Sequence, residues 1–444
     1  MSSSESFSYE EEPEDFVEAI LANVLTDDQY HALNGTSGPI RYRTLCAKEI
    51  CDKICRLRPE FHLRAETLIA ILLVDLEHLN PGGMLSPDVC LSVDLKNALE
   101  IISPFCKHYM LHLDPENIKP IDPAVGVEHP TNLNRSRWAH AIPQTPEEQE
   151  PLDTEIFQRL HSGKIDSEAI ARSIIYHTSF KTQIADSTFP ESIGNEEEEK
   201  CKDRDQKCIL TGRPHPDVFW FIPRGWNDTV DHNNATGNLE SACLYLTNID
   251  LLDIHSASEL RKTHRVWNMV CIDKIICDLL KQGLCAFRFI GKEAVNNGKV
   301  TVQLQFFWMP TLYGKFNETV DSDDTLGLTR YAYGLIFEFK TKEHRRLYQN
   351  NFYNITTESG QELKSGYHVY IEIPEEDVER FESAVKIQWA CILFTTLCGG
   401  AGRAWYLTGM DQRDESLQPR DEEFFGLDET SIFRGERDMD EEVG

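Results

Sequence analysis

No apolar run in this 444-residue chain approaches the roughly 18 residues that a membrane-spanning helix requires, so no membrane partner is expected. Basic residues are also scarce. Lys and Arg number 44 against 74 Asp and Glu, a formal charge of −30. Neutralising phosphate is what normally gives a protein its grip on nucleic acid, so only a local basic patch within this acidic chain would provide it, and nucleic acid is a doubtful partner. The 13 cysteines are odd in number and scattered, with no Cys-x-x-Cys pair. No secretory leader is evident after Met1-Ser-Ser-Ser4. Reduced thiols and an intracellular location, cytoplasmic or nuclear rather than secreted, are expected.

What is present suffices for a large core: 41% of residues are hydrophobic and 10% aromatic, in a length that suggests about three domains. Composition divides the chain into a mostly helical region 1–150 and a linker 151–200 with short helices and an acidic run. A central domain 201–310, a strand-helix extension 311–410 and an acidic, disordered tail 411–444 follow. Phe424, Phe425 and Phe433 dot the tail, a composition that solubilises a chain or recruits a partner. In the first region Phe16–Leu25, Ile40–Leu57, Leu63–His78 and Leu91–Ile102 read as helices. The third carries Leu68, Ile69, Leu72, Leu73 and Leu76 as a core stripe. Cys51 and Cys55 stand one turn apart on one helix face and read as core thiols rather than zinc ligands. Residues 115–153 form an irregular connector, short helices occupy Leu152–His177, and the run from Glu196 to Lys200 reads as a solvated boundary.

The organising stretch is Cys208 to Pro310. Val218–Ile222 has the β-branched and aromatic content of a strand. Trp267–Lys281 places Val270, Ile272, Ile275, Ile276, Leu279 and Leu280 at roughly helical spacing, with Gly283 as its stop. Ala286–Ile290 and Val300–Trp308 read as strands joined around Asn296-Asn-Gly298. Tyr331–Lys340 reads as a strand with His344-Arg-Arg346 as its exit, and Tyr367–Ile373 alternates like a half-buried strand. Pro374 then starts a helix whose Val378, Phe381, Val385, Trp389, Ile392 and Thr396 recur at three and four, ending at Gly399-Gly400.

The wording of this stretch resembles the HNH endonuclease-like domain of many fungal proteins. That family reads roughly Cys-x-Leu-Thr-Gly, then Pro-x-Val-Cys-His-Ile-x-Pro. Further on come Trp-Asn-Met-x-Cys-Leu-Asn, a His after three residues, Trp-Trp-Gly, and Leu-Gln-Phe-x-Trp-Met-Pro. Here Cys208, Leu210, Thr211, Gly212, Pro216, Val218, Pro223, Trp267, Asn268, Met269, Cys271, Leu304-Gln-Phe306 and Trp308-Met-Pro310 agree. Ser365-Gly366, Gln388-Trp389 and Gly400-Ala401 extend the resemblance over about residues 201–405. It implies an α+β fold with a ββα (HNH-like) centre, a helical N-terminal region and a C-terminal strand-helix unit.

The resemblance also implies which positions would do chemistry. In the family the first His is the general base, the Asn orients it and the last His helps hold a metal. Those positions fall here on Trp220, Asp273 and Cys277, with Phe219 where a metal ligand often stands and Leu279-Leu280 in place of the double Trp. Indole has no lone pair with which to accept a proton or bind a metal. The expectation is therefore a pseudo-nuclease serving binding or assembly, with an unidentified protein partner, no catalytic residues and no cofactor. The alternative is a metal-dependent endonuclease with substituted residues, for which Asp273 and Cys277 are the weak candidate ligands and a divalent metal the cofactor. A third reading is a zinc-stapled module using Cys208, Cys271 and Cys277. Asp228, Asp231, His232, Asn233 and Asn234 form a polar cluster read as self-solvating rather than as hard-metal ligands. Arg261 to Arg265 is a short basic cluster, read as an ordinary helix surface rather than a phosphate contact. Trp220 is expected to be buried with its face toward the 267–281 helix.

Overall fold

The computed structural model describes residues 39–113 and 192–402, apart from 229, 238, 256–259, 296–297, 313, 316–317 and 350–354. The Phe16–Leu25 helix, the 115–153 connector, the Leu152–His177 helices and the tail from Asp411 lie outside the described residues.

Helix α1 (Pro39–Cys55) opens on a proline, whose missing N–H costs nothing at a first helical position. It buries Ile40, Ala47, Ile50, Cys51 and Ile54 at three- and four-residue steps. Helix α2 (Ala65–Leu73) is buried at every position from Ala65 to Leu72, as a helix apolar on all sides must be. Fully buried Arg43 of α1 donates Nη1 to the carbonyls of Ile71 (2.9 Å) and Val74 (2.7 Å), filling acceptors that the end of α2 leaves open. The single helix expected over Leu63–His78 breaks at Val74. Asp75 is the reason: its carboxylate accepts from the Glu77 amide at 2.9 Å and starts a new turn, α3 (Leu76–Leu79). Helices α4 (Ser92–Glu100) and α5 (Ile102–Leu113) follow.

One face of an antiparallel sheet supplies the other half of the core. Strands β3 (Cys285–Val295) and β4 (Lys299–Trp308) turn at Gly298, whose φ of +71° suits the residue after two asparagines. Strand β5 (Tyr367–Pro374) pairs with β4 on its other side. Val300, Val302, Leu304, Phe306 and Trp308 of β4 point inward together with Val369, Ile371 and Ile373 of β5. The alternation that marked both strands in the sequence is thus the alternation of a sheet covered on one side. A short 3-10 turn, Glu375–Asp377, leads into α12 (Val378–Leu397), which packs on β3, α5 and α2. Val378, Phe381, Val385, Ile392 and Thr396 are buried as the spacing required. Core residues from Ile40 to Ala401 form one continuous cluster, and the described residues are of mixed α+β class.

Between these halves run α6 (Ser192–Asp205), β1 (Asp217–Trp220), a 3-10 turn (Arg224–Asn227), α7 (Val230–Gly237), α8 (Glu240–Thr247) and α9 (Leu251–Ile254). Then come β2 (Met269–Ile272), α10 (Lys274–Lys281) and, after β4, α11 (Thr325–Gln349).

Three expectations are corrected here. The Trp267–Lys281 helix is a 3-10 turn (Val266–Asn268), then β2, and only then α10. All four residues of β2 are buried, so no face was polar enough to reveal a strand period. The Tyr331–Lys340 strand is part of α11. Leu328, Ala332, Leu335 and Ile336 are buried at helical steps, and that stripe outweighs the aromatic content that read as β. The acidic run at Glu196 is not an unstructured linker: it lies in α6, which leaves Glu196, Glu199 and Lys200 exposed but buries Glu197 and, one turn on, Cys201.

Candidate functional site

Strands β1 and β2 run antiparallel, with Val218 opposite Cys271, Phe219 opposite Val270 and Trp220 opposite Met269. Cross-strand partners share a face and neighbours alternate, so the pair has two different sides. Phe219, Val270 and Ile272 join the main core with Ile276, Cys277, Leu279 and Leu280 of α10. Val218, Trp220, Met269 and Cys271 face the other way, against Cys201 of α6.

Asn268, Cys208, Gly212 and Trp308 fix the backbone around this pair. Asn268 is fully buried; its Oδ1 accepts from the Ile222 amide (2.7 Å), while its Nδ2 donates to the carbonyls of Ile222 (2.9 Å) and Thr263 (3.1 Å). Cys208 accepts at Sγ from the amides of Leu210 (3.4 Å) and Thr211 (3.3 Å), closing the turn that Gly212 leaves with φ +66°. A Cβ on Gly212 would stand 2.8 Å from the Glu358 side chain, so the close approach also needs glycine. Trp308 donates Nε1 to the Leu363 carbonyl at 2.8 Å.

The positions that matched working residues do not converge. Trp220 is half-buried on the α6 side, donates Nε1 to Glu198 (3.2 Å) and meets the edge of His264 at 5.2 Å between ring centres. The Arg224 guanidinium lies 5.8 Å from its ring centre, a cation–π distance. The expected burial against a 267–281 helix is corrected: Trp220 is half-buried and lies beside Met269 of β2 under α6, while α10 lies on the opposite side. Asp273 is used as a helix cap, with Oδ1 accepting from the Ile275 amide (3.0 Å) and Oδ2 from Arg213 (3.1 Å). Cys277 is 2% exposed within the main core.

The cysteine readings divide. Cys208, Cys271 and Cys277 are not gathered around one point, since Cys271 faces α6 and Cys277 faces the main core. Cys51 and Cys55 do meet on one helix face, with sulfurs 3.8 Å apart. Among the described residues, Cys201, Asp205 and Cys271 are the group whose three possible ligand atoms lie within 4.8 Å of one another. Spacing in the sequence held half of this signal, because Cys201 and Asp205 are one helical turn apart.

This trio is nevertheless filled by a cation of its own. Arg204 grips Asp205 through Nε (2.6 Å) and Nη2 (2.9 Å), donates to the Met269 carbonyl (2.7 Å) and places Nη2 3.5 Å from the Cys201 sulfur. The remaining valence of Asp205 receives the Cys271 amide at 2.8 Å. Burial alone would lower the Arg204 guanidinium, but the bonds and charge of Asp205 outweigh it and hold it above its usual value. The hydrogen bond to Cys271 and burial push the Cys201 thiol far up, which disfavours the thiolate that a metal would need. We read the group as a buried ion pair with two packed thiols.

The basic stretch Arg261–Arg265 is a turn rather than a helix surface. Thr263 and His264 are buried, Arg261 takes φ +62°, and Arg265 lies 3.8 Å from Glu197. Within the polar cluster, Asp228 and His232 approach to 3.0 Å and Asn233 is buried; the side chains of Asp231 and Asn234 lie outside what is described. The sequence reading overlooked His108 and His112 of α5, of which His112 meets His232 and His108 packs against His112. Their spacing of four on one helix was the available signal. Compared with protein-family models, curated proteins and solved structures, the chain matches none.

Proposed function

We propose that this chain is a relative of the HNH endonucleases that keeps the scaffold and has lost the hydrolytic chemistry, and that it serves as a binding or assembly module for a protein partner. The reading is supported by the order strand, strand, helix in β1, β2 and α10, at the stretch where the family wording lies. The observation that carries the loss of activity is the separation of Trp220, Asp273 and Cys277: one on the α6 side, one used as a cap, one in the core. General-base catalysis alone contributes about 10²- to 10⁴-fold, and an indole cannot provide it. A formal charge of −30 adds repulsion toward a polyanionic substrate.

The test is cleavage of plasmid and single-stranded DNA in magnesium, manganese or zinc. We expect no nicking by the chain. We also expect none from the triple variant Trp220→His, Asp273→Asn, Cys277→His, because substitution does not bring two faces together. Metal-dependent nicking by the unmodified chain, abolished by Asp273→Ala, overturns the reading and establishes the metal-dependent endonuclease instead.

A further inference from the structure

A row of histidine rings lies between α5 and the segment from Arg224 to Gly237, away from the β1–β2 pair. His108 and His112 stand one turn apart on α5, and their ring centres are 4.4 Å apart. His112 meets His232 of α7 at 5.0 Å between centres, with the rings nearly perpendicular at 80°. Asp228, four residues before His232, brings Oδ1 to 3.0 Å from its Nδ1. Behind the row, Trp226 stacks on His108 at 5.4 Å.

His112 is the anomaly in this row. Its Nδ1 is shielded from solvent and makes no hydrogen bond, although buried side-chain nitrogens are nearly always satisfied. The backbone has been cleared for the ring, because a Cβ at Gly225 would stand 2.9 Å from that nitrogen.

Distances decide which of these groups belong together. Metal–ligand bonds of about 2.0–2.1 Å around a tetrahedral ion place neighbouring ligand atoms roughly 3.3 Å apart, and neighbouring imidazole centres roughly 5.2 Å apart. The Asp228–His232 separation of 3.0 Å and the His112–His232 separation of 5.0 Å are close to both values. The 4.4 Å between His108 and His112 is too short for two rings on one ion. We propose that His112, His232 and Asp228 form a binding site for a divalent cation of the zinc class, with a fourth coordination position open and His108 packed behind His112. As the rings stand, the donor atoms of His112, His232 and Asp228 do not all lie within 4.8 Å of one another, so ligation requires the His112 and His232 rings to turn about their Cβ–Cγ bonds.

The electrostatics are compatible with this assignment. Burial, and secondarily His232, hold His112 down to about 3, so at neutral pH the imidazole keeps the lone pair that ligation requires. Asp228 supplies the negative charge. The Cys201 trio lacks this advantage, since its carboxylate is already bound by Arg204. The site is independent of the pseudo-nuclease reading and stands whether or not DNA is cleaved.

The experiment titrates the full-length chain, first stripped by a chelator, with zinc alone and with cobalt(II) as a spectroscopic stand-in. One equivalent should bind, and the cobalt spectrum should lack thiolate-to-metal charge transfer. His232→Gln and Asp228→Asn should each weaken zinc affinity at least tenfold while the circular-dichroism spectrum is kept, and Cys201→Ser should bind like the parent. His112→Gln should behave as the first two; where it does not fold, they decide. Absence of uptake, a thiolate signature lost with Cys201→Ser, or unchanged affinity in both His232→Gln and Asp228→Asn overturns the proposal.

Discussion

Asn268→Ala tests the idea that the surviving wording is scaffold. Asn268 is fully buried and serves three backbone groups: the Ile222 amide at 2.7 Å and the carbonyls of Ile222 and Thr263 at 2.9 and 3.1 Å. Truncation strands one buried N–H, at about 1–3 kcal/mol, and two carbonyls that are each less costly because an oxygen has a second lone pair. The expected loss is about 3–5 kcal/mol, a large part of the roughly 5–15 kcal/mol that holds a typical protein folded. Urea unfolding followed by tryptophan fluorescence should show a lower midpoint at unchanged slope. Asn268→Asp separates hydrogen bonding from volume, because it keeps an acceptor of the same size but loses both donors and buries a charge. At pH 7 it should be less stable than Asn268→Ala. Burial raises the folded pKa of such a carboxyl above its unfolded value, so the penalty is full above the folded pKa and fades as pH falls toward the unfolded one. An alanine variant within about 0.5 kcal/mol of the parent, the range of ordinary surface substitutions, or an aspartate variant with no recovery in acid, would refute the reasoning.

Two further outcomes follow from the buried charges. Asp205 keeps a side-chain exposure of 3%, so Arg204→Ala leaves a carboxylate buried without its cation and should cost about 3–5 kcal/mol, read as a lower thermal midpoint. Burial holds His255 and His264 down to about 4, against an ordinary 6.5, so both are neutral in the folded chain. As pH falls below 6.5 the unfolded chain takes up protons that the folded one refuses. The stability present above 6.5 should therefore drain away down to about 4, by roughly 3 kcal/mol per histidine. A thermal midpoint that stays flat between those pH values would contradict it.

Legibility in the sequence followed how plainly each element shows its period. Strands β4 and β5 each have one buried and one more open side, so their residues alternate visibly, and helix α12, though buried at every position from Cys391 to Leu397, shows its period through Val378, Phe381 and Val385 in its first half. Strand β2 and helix α5 are buried nearly all round, which erases the period, and both escaped the reading. Asp75 and Asp273 announce helix starts as acidic caps, a local signal that marked the true breaks within two misread helices. At the site, the identities of Trp220, Asp273 and Cys277 were readable but their directions were not. Direction depends on the register of β1 against β2 and on α6, whose acidic composition suggested solvent. The histidine row was hidden for a different reason, since His112 and His232 lie on helices far apart in sequence.

Under the proposed kinship, the positions that agree with the HNH-like wording and those that differ from it divide on physical grounds. Asn268, Cys208, Gly212 and Trp308 act on the backbone: they satisfy amides and carbonyls, or allow a close approach, and each contributes to the folded state with no substrate present. A base or a metal-binding histidine contributes only when metal and phosphate are bound, and a cleft kept polar for them forgoes apolar burial. If, as proposed, that chemistry is not required, nothing opposes closure of the face. Here closure comes from α6, which lays Cys201 against Met269 and Cys271 and bonds Glu198 to the Trp220 indole. On the proposed reading, the indole at 220 suits the cover of α6 as much as it departs from the base of the family. It offers a broad apolar ring to a covering helix and a single N–H to the acidic run that α6 carries, whereas a histidine there would meet the same cover with less area to bury.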